Sequence, residues 1–368
     1  MRYLFFFPLL VLAACNGTTL SSSNQAIEGN IPATGDGTRP KNIVLLIGDG
    51  MGLSQVSSAF YYKSTPSSFA RFTNIGLIRT SAADAKITDS AAGATAFASG
   101  VKTYNAAIGM SVDSTAVPTI VEIVSEKNWK TGLIATSSIT HATPASFFAH
   151  VTHRNYAEEI AAFMPASGVD FFAGGGLNYF SARQDSVDLT ARLQENGFVV
   201  NTNALSTETP DPLQKYAYLL APDGMPKMND GRGDFLPNAT RLALDYLSAS
   251  PDGFFLMVEG SQIDWGGHAN DESYLVSELI DFDATIGAVL DFAEQNGETL
   301  VIVTADHETG GYTLAADSLD YNTIKGSFST QGHSTTLIPV FAFGPGSERF
   351  RGVYENTGIF DRMIESMP

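Results

Sequence analysis

Asn42-Ile43-Val44-Leu45-Leu46-Ile47-Gly48-Asp49-Gly50-Met51-Gly52 reads as an apolar strand that runs into a glycine-rich turn carrying one carboxylate. An unbroken aliphatic run, with no polar alternation, is the pattern of a strand covered on both faces. The glycines beside Asp49 allow a tight turn and a close approach of backbone to a ligand. Working outward, similar strands recur with helical patterns between them. Val117 to Glu126 has helical spacing and leads into the strand Thr131 to Thr136. Asn155 to Met164 is a helix before the strand Val169 to Ala173, and Leu236 to Leu247 a helix before Phe254 to Val258. Glu272 to Ala293 is a long helix before Leu300 to Thr304, Ile338 to Phe343 is a final strand, and Ile359 to Glu365 is the closing helix. Such alternation predicts an α/β fold, a three-layer sandwich whose central, largely parallel sheet is flanked by helices on both faces. The stretch 202–234 lacks a pattern and is expected to form an irregular excursion or cap. No internal repeat and no later transmembrane run is visible.

Open α/β sheets bind ligands beyond the carboxyl ends of their strands. That is where Asp49, Glu259 and the pair Asp306-His307 fall, each at the end of a different strand. A further stretch, Thr88-Asp89-Ser90-Ala91-Ala92-Gly93-Ala94-Thr95-Ala96, puts a hydroxyl nucleophile at the start of a helix of small residues. Unpaired N–H groups and a partial positive charge at a helix N-terminus favour an anion beside Ser90. Taken singly, these residues have plain structural explanations. Thr-Asp-Ser caps helices routinely, an aspartate between glycines suits a solvated turn, and a lone histidine is usually packed or at the surface. Their number is what packing does not explain. Val258-Glu259-Gly260-Ser261-Gln262-Ile263-Asp264-Trp265-Gly266-Gly267-His268 sets a carboxylate and an imidazole four residues apart, and His333 adds an imidazole before the last strand. Nitrogen and carboxylate ligands in compact sets suit zinc. Glu259 inside an apolar strand would be a costly buried charge without a partner.

Ser90 and these segments resemble the active site of the alkaline phosphatases, and the resemblance runs from about Lys41 to Gly346. It implies that Ser90 is the nucleophile, forming a phosphoserine during hydrolysis of phosphate monoesters. It implies two Zn2+ and one Mg2+ per chain: Asp264, His268 and His333 around the first zinc, Asp49, Asp306 and His307 around the second, and Asp49, Thr143 and Glu259 around magnesium, with Asp49 bridging. Arg154 matches the family's Ala-His-Val-Thr-x-Arg pattern and would grip two phosphate oxygens, as a guanidinium can and an ammonium cannot. His150 and His153 are read as structural. His141 stands where some members carry aspartate, and Trp265 where others carry lysine or histidine. The first bears on the water around magnesium, and the second removes a possible cation near the phosphate. This pairing is similar to that of short, cold-active bacterial members. A homodimer is also implied. Two other enzyme classes fit less well: a sulfatase needs a Cys/Ser-x-Pro-x-Arg context that Ser90 lacks, and a phosphodiesterase is expected to lack Arg154. A non-enzymatic phosphate-binding lipoprotein leaves the dense ligand set unexplained.

Composition agrees with a well-buried enzyme: 44% of the 368 residues are hydrophobic and 16% charged. The formal net charge of −18 argues against nucleic acid as a partner, because phosphate backbones require clustered Lys and Arg. An anionic substrate then needs local positive charge, from metal ions and an arginine. At the N-terminus, residues 1–14 read as a signal peptide, with an apolar run too short to span a bilayer. It ends in Leu12-Ala13-Ala14-Cys15, which resembles a bacterial lipobox. Cys15 is the only cysteine, so no intrachain disulfide is possible. Residues 15–40 are expected to be a flexible tether and 41–368 a single catalytic domain. The expected location is the periplasmic side of a bacterial membrane, as an outer-membrane lipoprotein held by lipidated Cys15.

Overall fold

The computed structural model describes residues 39–368. The signal peptide, Cys15 and all but the last two residues of the tether lie outside the described residues. The main sheet comprises β1 (Asn42–Gly48), β2 (Asn74–Arg79), β3 (Lys130–Ser138), β4 (Phe171–Gly175), β5 (Phe198–Asn201), β6 (Lys215–Leu219), β7 (Phe254–Gly260) and β8 (Thr299–Thr304), completed by β13 (Ile338–Phe343) and β14 (Gly352–Glu355). Between β8 and β13 lie two small ribbons. In one, β9 (Glu308–Thr309) pairs with β12 (His333–Ser334); in the other, β10 (Thr313–Asp317) pairs with β11 (Asp320–Ser327). The helices are α1 (Leu53–Tyr61), α2 (Ser90–Ser99), α3 (Ile120–Ser125), α4 (Ala142–Ala145), α5 (Ala157–Phe163), α6 (Leu177–Ser181), α7 (Leu189–Glu195), α8 (Phe235–Leu247), α9 (Gln262–His268), α10 (Glu272–Asn296) and α11 (Thr357–Ser366).

Strand order is β14-β2-β13-β8-β1-β7-β3-β4-β6-β5. Every residue of β1, β7 and β8 is buried, as their aliphatic runs require. Helices α1, α8 and α10 pack together, as do α2, α3, α4 and α11, and α10 and α3 each meet β7. The sheet is thus flanked by helices, the α/β sandwich expected. Among the described residues no helix is long and apolar enough to cross a membrane.

Only β13 runs against the others, antiparallel to both β2 and β8. This reversal positions the site. For a parallel strand the residues that follow it reach the carboxyl edge. For β13, the residues that precede it do, and His333 is one of them.

Two sequence expectations are corrected. The stretch 202–234 is not wholly irregular, because Lys215–Leu219 is β6, paired in parallel with β4 and β5. A five-residue strand reached through a connection that holds no helix, 202–214, gives no βαβ alternation to read. Nor is β13 the final strand. Gly352–Glu355 returns to pair with β2 at the sheet margin, and its half-exposed residues carry no buried-strand pattern.

Candidate active site

Three strand ends and one helix N-terminus converge. Asp49 follows β1, Glu259 lies near the end of β7, and Asp306 and His307 follow β8; all four are fully buried. Ser90 is the first residue of α2. Its preceding residue, Asp89, caps the helix by accepting from the Ala92 N–H at 3.0 Å. The ten residues of α2 are all buried, and a Cβ built on Gly93 would stand 3.0 Å from Asp306 Cβ. The small-residue character of α2 therefore has a cause: it lets the Ser90 helix lie directly against the Asp306 backbone.

Ser90 Oγ is 3.3 Å from His307 Nε2, which also faces Asp306 Oδ2 at 3.3 Å and Asp49 Oδ1 at 3.5 Å. Thr309 Oγ1 donates its one proton to Asp264 Oδ1 and so accepts from His307 Nδ1–H at 3.2 Å. This fixes the tautomer and leaves Nε2 with a lone pair directed at carboxylates. Desolvation holds the imidazole well below its ordinary pKa, so His307 is neutral. A lone pair facing two carboxylate oxygens is an arrangement that suits a bound cation.

The two outer histidines are held in a similar way. His333 Nδ1 donates to the Thr88 carbonyl at 2.8 Å, and His268 Nδ1 donates to the Gln331 carbonyl at 2.5 Å. Each histidine then turns its Nε2 inward, the two nitrogens 3.1 Å apart, with Asp264 Oδ1 at 3.3 Å from His268 and 3.7 Å from His333. Metal-ligating histidines typically present one nitrogen while the other donates to a carbonyl. The β9–β12 ribbon holds His333 in register with Thr309 and stacks its ring on His307, centroids 3.5 Å apart.

Asp264, His268 and His333 offer ligand atoms within 4.8 Å of one another. So do Asp49, Asp264 and His307, and so do Asp49, His141 and Glu259. Thr143, on α4, is fully buried. Both Asp49 carboxylate oxygens, Glu259 Oε1, Asp306 Oδ2 and Thr143 Oγ1 are buried without a hydrogen-bond partner. Burial, with Asp306, Asp264 and Glu259 nearby, pushes Asp49 far above the usual carboxylate range. Burial likewise raises Asp306 and carries Glu259 up to about 7, although Ser261 donates to it. Buried carboxylates in such numbers are paired or coordinate metals. The donor set fits metal ions.

Arg154 closes the site from the solvent side. Its guanidinium donates to Asp89 Oδ2 at 3.0 Å and to His141 Nε2 at 3.3 Å. Burial and that guanidinium push His141 down to about 3, keeping it neutral. Trp265 stands edge-on to His141, centroids 5.9 Å apart. His150 bonds Gly109 and Glu122 away from this cluster; His153 accepts from the nearby Asn155 N–H.

The sequence profile of the alkaline phosphatase family matches residues 40–327. Alkaline phosphatase 3 of Bacillus subtilis (strain 168) is 32% identical over 449 aligned positions, which cover 98% of this chain and 96% of that protein. The chain belongs to the alkaline phosphatase family. Among solved structures, the alkaline phosphatase of the Antarctic bacterium TAB5 is 57% identical, with a TM-score of 0.87 over 89% of this chain and 98% of that one. A histidine-to-glutamate mutant of the TAB5 enzyme, with Mg bound in its M3 site, is 56% identical at a TM-score of 0.88, with the same coverage. The cold-active enzyme of a psychrophilic Shewanella is 29% identical at 0.82, covering 89% and 100%.

Every residue that sequence reasoning placed in the site lies in this cluster, with two refinements. Asp264 reaches toward both histidine groups, and His141 stands with Asp49 and Glu259. Sequence reasoning missed the supports. Thr309 joins Asp264 to His307. Glu308 accepts from Gln55 at 2.9 Å and from Ser334, the residue beside His333. Ser261 and Ser137 donate to Glu259 Oε2 at 2.7 and 3.3 Å. No local pattern marks these threonines and serines. Only adjacency to Asp306-His307 pointed toward Glu308 and Thr309.

Proposed function

We propose that the protein hydrolyses phosphate monoesters to an alcohol and inorganic phosphate through a phosphoserine on Ser90. The observation that carries this reading is Ser90 Oγ at 3.3 Å from a lone-paired His307 nitrogen, at a helix N-terminus, among buried carboxylates with unpartnered oxygens. Asp264, His268 and His333 would hold one Zn2+, Asp49, Asp306 and His307 a second, and Asp49, Thr143 and Glu259 a Mg2+, matching nitrogen-and-oxygen and all-oxygen donor sets. When bound, these ions supply positive charge that lowers the pKa of hydroxyl groups and screens phosphate oxygens.

The chain's own residues do the rest. Asp89 and His141 brace Arg154 so that its fork receives two non-bridging phosphate oxygens. The N-terminus of α2 adds partial positive charge where negative charge grows. Ser90 Oγ bonds to phosphorus as the phosphorus–alcohol oxygen bond breaks, and the Ser90 hydroxyl proton ends on the departing alcohol. Water then attacks the phosphoserine on phosphorus, returning the Ser90 hydroxyl and releasing inorganic phosphate. Burial of α2 holds Ser90 in line without a moving part.

The lipobox-like Leu12-Ala13-Ala14-Cys15 supports export and anchoring on the periplasmic side of the outer membrane, with 15–40 as tether and 41–368 as one catalytic domain. A homodimer rests on family resemblance alone. The decisive experiment combines elemental analysis with turnover of p-nitrophenyl phosphate and acid quenching. Zinc, magnesium, turnover and a phosphoserine within residues 88–95 are expected. Label on another peptide would overturn the mechanism.

A further inference from the structure

Beside Arg154 a cavity of about 350 Å³ is walled by His141, Trp265, Tyr179, Asp223 and Asn155. That volume lies in the range of small-molecule sites. Arg154, whose guanidinium would read the phosphate, forms part of the same wall. Trp265 directly follows Asp264 in α9, so one residue serves the metal cluster and the next lines the cavity. The indole is fixed on two sides: it stands edge-on to His141, interplanar angle 77°, and its outer edge rests on Gly224, where a Cβ would meet Cη2 at 2.8 Å. At the mouth, Tyr179 O–H donates to Asp223 Oδ1 at 3.2 Å. Burial and Asp223 raise the phenol's pKa, so it stays a donor. Among the described residues no protein donor meets Asp223 Oδ2, and Arg154 is the only cationic side chain on the wall. The wall therefore carries a partly buried guanidinium, an indole and an exposed carboxylate.

We propose that this cavity receives the alcohol portion of the substrate and selects phosphomonoesters whose alcohol is uncharged or cationic, bears a flat ring and offers hydroxyl or amino donors. Nucleoside monophosphates have that chemistry. A base stacks on Trp265, sugar hydroxyls donate to Asp223, and the phosphate lies on Arg154. An alcohol bearing a second phosphate meets the Asp223 carboxylate and is disfavoured. Trp265 and Asp223 are specificity residues on this view. The inference rests on the monoesterase reading above.

The test compares kcat/KM of the metal-replete enzyme for adenosine 5′-monophosphate, glycerol 2-phosphate and fructose 1,6-bisphosphate. Ratios between substrates are taken within each variant, so that any change in metal loading or phosphate reading cancels. Trp265→Ala should lower the adenosine-to-glycerol ratio about tenfold, the typical worth of one base stacked on an aromatic, mainly through KM, and Trp265→Phe should restore most of it. Asp223→Asn should raise turnover of the bisphosphate relative to the nucleotide several-fold, and added salt should shrink that difference. Ratios unchanged in both variants would overturn the subsite. Absence of turnover for all three esters in the metal-replete wild type would instead overturn the monoesterase reading, so the two failures are distinguishable.

Discussion

Thr309 touches Asp264 and His307, one proposed ligand of each zinc site, which makes Thr309→Val a sharp perturbation. Valine keeps the shape of the fully buried side chain and removes only the hydroxyl. Two hydrogen bonds go with it: one donated to the Asp264 carboxylate and one accepted from His307 Nδ1. The charge-assisted bond contributes ~1.5–3 kcal/mol and the neutral one ~0.5–1.5 kcal/mol. Part of that sum is already present in the metal-free protein and will appear as a lower melting temperature. The share expressed in metal affinity is ~10–100-fold, as for other supports of metal ligands. Zinc titration in chelator buffers gives the dissociation constants directly, with turnover read in the same samples. Both proposed zinc sites should weaken together, because the substitution frees Asp264 and lets His307 change tautomer. Thr309→Ser should recover most of the loss. Dissociation constants unchanged at both sites would refute the claim that this hydroxyl couples them.

Other outcomes are equally concrete. Ser90→Ala should abolish the acid-stable phosphoserine and most turnover, while circular dichroism and zinc content stay at wild-type levels. Arg154→Lys should weaken inhibition by inorganic phosphate and monoester turnover alike, by ~1–3 kcal/mol, since the forked donor is lost; diester hydrolysis measured alongside should suffer less. Chelation should lower the melting temperature sharply, with activity failing first, because each site filled to a hundred times its dissociation constant adds ~2.7 kcal/mol. A calorimetric trace indifferent to chelator would count against that. Away from the site, Arg232 serves both Glu278 and Asp281, and burial carries Asp281 up to about 6. A folded pKa above the unfolded value means that this contribution is full below pH 4 and is lost as pH rises through about 6. Asp281→Asn should therefore gain on the wild type by on the order of 3 kcal/mol between pH 4 and pH 8, read by urea unfolding at each pH.

The elements that sequence reading recovered are those whose side chains report their burial directly. β1, β7 and β8 are aliphatic throughout, and α8 and α10 carry long apolar spacing. The site was legible for a related reason: Asp49, Glu259 and Asp306 sit against those strands, where a charge has no cause except function. What escaped reading depends on partners distant in the chain. β6 owes its place to β4 and β5, with nothing in its own five residues to announce it. That β13 runs antiparallel, and so delivers His333, is set by pairing with β2 and β8 and leaves no trace in Ile338–Phe343. Thr309 and Ser261 are ordinary strand and turn residues until the fold sets them beside Asp264 and Glu259.

The central place of β1 has a consequence for biosynthesis. Its neighbours in the sheet are residues 254–260 and 299–304, and it has no others. At about 5–20 residues per second, roughly 10–40 s separate completion of β1 from completion of β7. Throughout that interval the growing chain carries an uncharged, β-prone segment without either of its native partners, the signature of an aggregating stretch. Frequent initiation raises the concentration of such orphan segments. Soluble yield should then track the supply of chaperones that hold extended apolar chain, more than it tracks the stability of the finished enzyme.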